Sequence, residues 1–403
     1  MPQHLPYRVL LRSMGASFAV LGFLGRLPTS VLPLALLLYA HHRLGSFGLA
    51  GLAAAALSLG GAAGAVLIGH LSDQWGHRVV GIAATVVQTA AVGGFLLWCT
   101  PDVPLGVVLA LAALTGFANP QLGAMARSRW SQAAASRDDR LPFTASAMAW
   151  EGAIDEVGFV IGPVLATTLA AVAAPAPLLT VVALAWIGQV GFALHPSALG
   201  PARHGRQRHA ESADRVDWRV LIPLAVAIGG VGVLFGGSQT GIAAFFTVRG
   251  EGAVAGAVYG AMAVGSASMG LLSNRLPVRW SMASRITVFG FGCAVFSPLL
   301  IVAWDASTMA LACLLIGIMV GPTLVTGYAY AERISPPERL STVMTVLSTV
   351  GVVGVAAGAA VAGQVVDGYS ARDAAWIATA GGLLAGVAGL SIPRRPTRRS
   401  SAR

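Results

Sequence analysis

Apolar residues in this chain run in blocks far longer than a soluble core uses. Helices are expected at 13–39, 47–69, 79–99, 103–126, 143–173, 177–195, 219–247, 253–273, 285–303, 307–331, 341–366 and 371–392. Each block has roughly the 20 mostly apolar residues that a helix needs to cross a bilayer. Prolines mark the gaps, as at Pro101 and Pro104, Pro175 and Pro177, and Pro336 with Pro337. Arg8 and Arg12 ahead of the first block look like the start of a signal peptide. That block contains Arg26, continues to Tyr39 and offers no small-x-small cleavage site, so it reads as an uncleaved first helix. The longest polar stretch reads PSALGPARHGRQRHAESADRVDW. The expectation is an all-α membrane protein with twelve transmembrane helices in two six-helix pseudo-repeats. A bundle at 1–195 is joined by a cytoplasmic linker at 196–218 to a second bundle at 219–392, and a basic tail follows at 393–403.

Composition agrees with a lipid solvent. Charged residues are 10% and apolar ones 56%, against about 25% charged in soluble domains. A net charge of +10 would suit nucleic acid, but the placement of the charge argues otherwise. All 26 basic residues are arginine, and 22 of them fall on one side if both termini lie in the cytoplasm. Opposite lie Arg43, Arg249 and Arg372, while Arg26 sits inside helix 1. This is the positive-inside asymmetry of a multi-pass cell-membrane protein. It sets the linker and tail against anionic lipid heads and removes the case for a nucleic-acid partner. Arginine without lysine, with abundant Ala, Gly and Val, suggests a GC-rich bacterial genome. Cys99, Cys293 and Cys313 lie in apolar runs without metal spacing, and His41-His42, in an external loop, has no further ligand nearby. No metal or other cofactor is expected. A chain without lysine holds no G-x-x-x-x-G-K-[ST] loop, so ATP is excluded as its direct energy source. No nucleophile–base set suggests an enzyme.

An internal repeat and two motifs sharpen the picture. At an offset of 201, Gly69-His-Leu-Ser-Asp73 meets Gly270-Leu-Leu-Ser-Asn274, Arg78 meets Arg279 and Gly116 meets Gly317. Fused repeats are an expected origin of secondary transporters. Gly69-His-Leu-Ser-Asp73-Gln-Trp-Gly76-His-Arg78, between helices 2 and 3, resembles the G-x-L-a-D-r-x-G-r-[KR] loop of the major facilitator superfamily. Gly158-Phe-Val-Ile-Gly162-Pro163 in helix 5 resembles the G-x-x-x-G-P motif of the drug:proton antiporters of that superfamily. The resemblance implies the major facilitator fold over the whole chain, alternating access, and gating by Asp73, Gly69, Gly76 and Arg78. Asp73 would then sit on a tight cytoplasmic loop facing a helix start such as the one after Pro336-Pro337. Its arginine partner would be Arg78, Arg127 or Arg129. The chain departs from the pattern at three places. Ala166-Thr167 replaces a glycine pair, helix 4 carries Asn119-Pro120-Gln121 in place of an internal arginine, and Asn274 replaces an acid.

Helix 5 carries the candidate chemistry. Glu151, Asp155 and Glu156 fall within six residues of an apolar run. At about 100° per residue, Glu151, Asp155, Gly158 and Gly162 share a stripe, and Glu156 points about 140° away from Glu151. Small residues on such a stripe let a neighbouring backbone approach, and Pro163 removes a helix hydrogen bond. An ionised acid near a helix centre costs about 2.5–3.5 kcal/mol. Arg26 is the one arginine expected within the membrane, and it lies at the depth of Asp155. One cation cannot neutralise three acids, so at least one acid is expected to hold a proton. The counterparts at offset 201, Val352, Ala356 and Ala357, carry no charge, so the fold itself does not demand the acids. Asp155 ranks first as proton carrier and Glu156 second, followed by Glu151, with Arg26 as partner. Gln88, Asn119, Gln121, Gln239 and Tyr328 are candidates to line a cleft. The expected function is proton-coupled export of a small, partly apolar or cationic organic molecule by a monomer. A proton-coupled importer, or a non-transporting receptor on the same fold, is the alternative.

Overall fold

A computed structural model describes residues 7–135, 137–200, 218–277, 280–335 and 339–393, and among these there is no strand. A short amphipathic helix, Tyr7–Met14, leads into helix 1, Ala16–Leu44. Helices 2 to 6 are Phe47–Trp75, His77–Trp98, Leu105–Ala134, Arg140–Val172 and Ala176–Leu194. Helices 7 to 12 are Trp218–Val248, Gly252–Leu272, Met282–Val302, Ala306–Ile334, Thr342–Gly368 and Ala375–Ser391. Eleven of these are long and apolar enough to cross a membrane, and the last is a shorter apolar helix of 17 residues. Exposed Trp75, Trp98, Trp218, Trp304 and Trp376 sit at helix ends, where indole rings favour the membrane–water boundary.

Local chemistry sets the ends. Helices 2 and 3 are separated by Gly76 alone, with φ +85°, a conformation that favours glycine. Ser46 caps helix 2 by accepting from the Leu49 N–H, and Asp305 caps helix 10 in a capping box with Thr308. Three expectations are corrected here. Helix 1 runs on to Leu44, so His41-His42 form its last turn instead of a loop, with His41 stacked 3.6 Å from the Phe47 ring. Helix 2 continues to Trp75, which puts Asp73 in a helix and not on a loop. Helix 4 does not stop at 126. It breaks at Asn119-Pro120, between Leu105–Phe117 and Leu122–Ala134. Proline supplies no N–H and pushes its predecessor out of the helical region, and the polar run after the break is again helical.

The chain divides into two compact units, Met1–Arg206 with Phe246–Gly260, and Gln207–Phe245 with Ala261–Arg403. In the first, helices 2 and 4 pack backbone to backbone. A Cβ on Gly60 would strike the Ala113 carbonyl, and one on Gly116 the Leu57 carbonyl. In the second, Gly265 meets the Leu314 carbonyl and Gly317 the Met262 carbonyl. Ala113 and Leu314 do stand 201 apart, but Gly60 and Gly265 stand one helical turn further apart. The alignment at 201 therefore holds for helices 4 and 10 and slips by a turn for helices 2 and 8, so Asp73 and Asn274 are not equivalent positions. Arg279 and Pro336-Pro337 lie outside the described residues, as do most of the linker and the tail from 394.

Candidate functional site

The site is built on helix 5. Gly162 meets helix 1 so closely that a Cβ would lie 2.5 Å from the Ser30 Cβ and 2.7 Å from its carbonyl carbon. Gly158 faces the Ser30 hydroxyl. One turn before Ser30 on helix 1 stands Arg26, which this contact brings against Glu151 and Asp155. The Arg26 guanidinium donates to Glu151 Oε2, and its Nε lies 3.5 Å from Asp155 Oδ1. Trp130, on the resumed half of helix 4, donates its indole N–H to Glu151 Oε1 at 2.7 Å. Trp130 is itself held by packing, edge-on to Phe18 with ring centroids 4.9 Å apart and against Phe143. Arg127, three residues earlier, donates to Asp155 Oδ2 at 2.6 Å.

The single-cation expectation is thus corrected, because Arg26 and Arg127 together balance Glu151 and Asp155. The two pairs differ in surroundings. The Arg26 and Glu151 side chains are 8% and 1% exposed, whereas those of Arg127 and Asp155 are 43% and 31% exposed. The Arg127–Asp155 pair is thus the more accessible of the two. Glu156 is exposed and has no ion pair or hydrogen bond among the described residues. It lies one turn before Val160 and two before Pro163, on the face where Gly260 and Gly256 pack. The same face carries Thr167, whose hydroxyl donates to the Ala253 carbonyl and accepts from the Gly256 N–H.

A buried polar chain holds Arg26 from behind. Gln189 donates to the Gly25 carbonyl and to Asn119 Oδ1, and accepts from the Thr85 hydroxyl. Gln88 also donates to Asn119 Oδ1, and Asn119 Nδ2 donates to the Thr29 hydroxyl at 2.9 Å. Gly25 and Thr29 bracket Arg26 in sequence. Gln189 reaches them from a π-helical segment, Ala185–Val190, of the kind often found at functional sites. Gln88 and Asn119 are 1% and 6% exposed. They belong to helix packing and do not line an open cleft: with Gln189 and Thr29 they link helices 1, 3, 4 and 6, and Gln88 Oε1 is left without a hydrogen-bond partner among the described residues. Gln121 is half-buried at the helix 4 break, and Gln239 and Tyr328 are half-buried in the second unit.

The gating candidates are arranged differently from expectation. Asp73 is exposed and pairs with none of Arg78, Arg127 and Arg129, since Arg127 holds Asp155 and Arg129 is enclosed elsewhere. Gly76 makes the helix 2–3 turn, while a Cβ on Gly69 would touch nothing. Sequence reasoning missed Trp130 and offered Arg127 as a partner of Asp73 where the structure pairs it with Asp155. Their run, Arg127-Ser-Arg-Trp130-Ser-Gln132, looks like a loop, and the signal that could have found them was Pro120, which breaks helix 4 without ending it.

The comparisons with known proteins agree with this architecture. No relative among curated protein sequences matches the chain. The solved nucleoside transporter NupG has a TM-score of 0.69 at 16% identity, over 94% of this chain and 99% of that one. The POT family transporter PepTSo gives 0.66 at 11% identity, over 94% and 97%. The human organic anion transporter MFSD10 gives 0.61 at 15% identity, over 98% and 100%. At such identities the likeness establishes the fold. The sequence profile of the Major Facilitator Superfamily matches residues 18–311 and 252–403. The chain therefore belongs to the major facilitator superfamily and is a multi-pass membrane protein that carries small molecules by secondary transport, a transporter and not an enzyme.

Proposed function

We propose that this protein is a proton-coupled exporter of the drug:proton antiporter kind, moving small, partly apolar or cationic organic molecules out of a bacterial cell as a monomer. The observation that carries the reading is the unequal pairing of the helix 5 acids. Glu151 and Asp155 are neutralised by Arg26 and Arg127, and Glu156 beside them has no cation among the described residues. Fixed pairs hold their charge through a transport cycle, whereas an unpaired acid can lose its charge by binding a proton or a cationic substrate. Glu156 is thus the preferred proton carrier, ahead of Asp155. Competition between proton and substrate for one carboxylate gives exchange in opposite directions. Gly158 and Gly162, which seat helix 5 on helix 1, and Pro163 after them support the antiporter branch through their motif. In this reading the bundles at 1–195 and 219–392 alternate around the substrate, with Asp73, Gly69, Gly76 and Arg78 biasing the states. The linker, the tail and both termini lie in the cytoplasm.

The test is transport in proteoliposomes under an imposed pH gradient, screened over cationic and neutral compounds. Substrate should accumulate against its own gradient while protons move the opposite way. Movement of substrate with the protons would make the protein an importer. Accumulation that ignores the pH gradient would remove proton coupling.

A further inference from the structure

The carboxylate of Glu151 has a different partner on each oxygen. Arg26 Nη2 donates to Oε2, and the Trp130 indole N–H donates to Oε1 at 2.7 Å. The hydrogen bond from Arg26 to Glu151 uses Nη2 alone. Its Nε is buried, has no hydrogen-bond partner and stands 3.5 Å from Asp155 Oδ1. A guanidinium facing a single carboxylate favours a bidentate grip on both oxygens. That grip is not formed here, because Trp130 already fills the second oxygen, and Arg26 stays divided between two acids. Trp130 belongs to a stripe on helix 4. Gly123, Arg127 and Trp130 are spaced four and three residues apart, so they share one helix face, and that face meets Asp155 and Glu151. A Cβ on Gly123 would lie 3.1 Å from Arg127 Nη1, 3.8 Å from Arg26 Nε and 3.9 Å from Asp155 Oδ1, so glycine leaves room where the three groups converge. Trp130 is only 2% exposed, and Phe18 of helix 1 and Phe143 of helix 5 pack against its ring. The indole therefore cannot turn away from Glu151 without disturbing the core.

We infer that Trp130 is a positioning residue for proton coupling. Its N–H holds Glu151 ionised and leaves Arg26 able to steady Asp155, so that Glu156 is the acid that takes the proton. The coupling role rests on the proton exchange proposed above. The charged groups around Glu151 are Arg26 on helix 1, Arg127 on helix 4, and Asp155 and Glu156 on helix 5 itself. Helix 6 packs on helix 5 without a charged residue, helix 8 meets it further along at Val160 and Pro163, and the Tyr7–Met14 helix carries Arg8 and Arg12 at exposed positions. No other donor reaches Glu151 Oε1 among the described residues. With the indole N–H removed, this oxygen is buried without a donor, and the carboxyl gains by binding a proton there. Glu151 then competes with Glu156 for the proton that drives transport.

The test uses two changes at position 130. One is Trp130→Phe. The other is site-specific incorporation of 3-benzothienylalanine, which keeps the shape of the indole and puts sulfur in place of the N–H. If Trp130→Phe unfolds the chain, the isosteric side chain still gives the answer. The first readout is infrared difference spectroscopy of the full chain in lipid bilayers during acid titration. It follows the protonated-carboxyl band of Glu151, assigned by its loss in Glu151→Gln or its displacement in Glu151→Asp. In both changed proteins the band should appear about one to two pH units above its wild-type position. The second readout is substrate accumulation driven by a pH gradient, whose acid limb should move upward with the band. A band that stays in place would overturn the inference, whatever the transport assay shows. A band that moves while accumulation keeps its wild-type pH profile would leave Trp130 holding Glu151 but overturn its part in coupling. Wild-type accumulation indifferent to the pH gradient would instead remove the exchange reading, and the coupling role with it, while the band still reports the hold on Glu151.

Discussion

Glu151 and Glu156 occupy one helix, five residues apart, but removing their charges should have opposite consequences. Glu151 is enclosed by Arg26 and Trp130. Glu151→Gln leaves the Arg26 guanidinium buried with reduced compensation, and breaking such a pair costs about 3–5 kcal/mol. The expected result is a marked loss of thermal stability in detergent, shared by Arg26→Gln. Glu156→Gln removes an exposed group that no ion pair holds, so stability should stay near wild type. Uphill transport should vanish while downhill exchange persists. A Glu156→Gln protein that still concentrates substrate at the wild-type rate would end its role as proton carrier. The meeting of Arg26 with helix 5 was legible in the sequence, because two helices that start on the same side bring equal depths together. The partnership of Asp155 with Arg127 was not, because hydrophobicity cannot tell a polar helical turn packed on acids from a polar loop.

Helix contacts turn on whether a side chain has room. Gly152, Gly158 and Gly162 form a graded series on helix 5. An added Cβ meets nothing at Gly152, the Ser30 hydroxyl at 3.3 Å at Gly158, and Ser30 backbone and Cβ atoms at 2.5–2.8 Å at Gly162. Gly152→Ala should therefore be neutral or slightly stabilising. Gly158→Ala should be mild, since a hydroxyl can rotate away. Gly162→Ala must push helix 1 off helix 5, which overpacking data put at about 1–3 kcal/mol, and it should also loosen the Arg26 pairing. Thermal unfolding of the three variants checks the order, and a Gly162→Ala protein as stable as Gly152→Ala would show that the helices separate without strain. At this scale the sequence was informative about spacing. The stripe of Gly158 and Gly162 announced a close approach, whereas the identity of the neighbour, Ser30, needed three dimensions. The offset of 201 shows the opposite failure. Matching small residues in a Gly-rich chain tolerates a slip of one turn, and only the backbone contacts of Gly60 and Gly265 expose it.

Each unit groups its helix ends in a way that fits a through-membrane alternation. Arg43 at the end of helix 1 donates to the Cys99 carbonyl after helix 3. Arg372 before helix 12 donates to the Ala303 carbonyl after helix 9. In the first unit, on the opposite ends, His77 meets Leu199, and in the second Tyr330 meets Pro393. Placing Arg127 and Arg129 inside helix 4 removes them from the loop tally, yet the basic bias persists, since most remaining arginines still fall in the linker, the tail and the loops on one side. The bias argues that this side is the cytoplasm. Single-cysteine labelling tests the assignment cleanly, because the native Cys99, Cys293 and Cys313 are buried and silent to a membrane-impermeant maleimide. Asp102→Cys, at an exposed position between helices 3 and 4, should react in intact cells. Ala210→Cys in the linker and Ser401→Cys in the tail should react only after the membrane is opened. The reverse pattern would put the basic loops outside the cell.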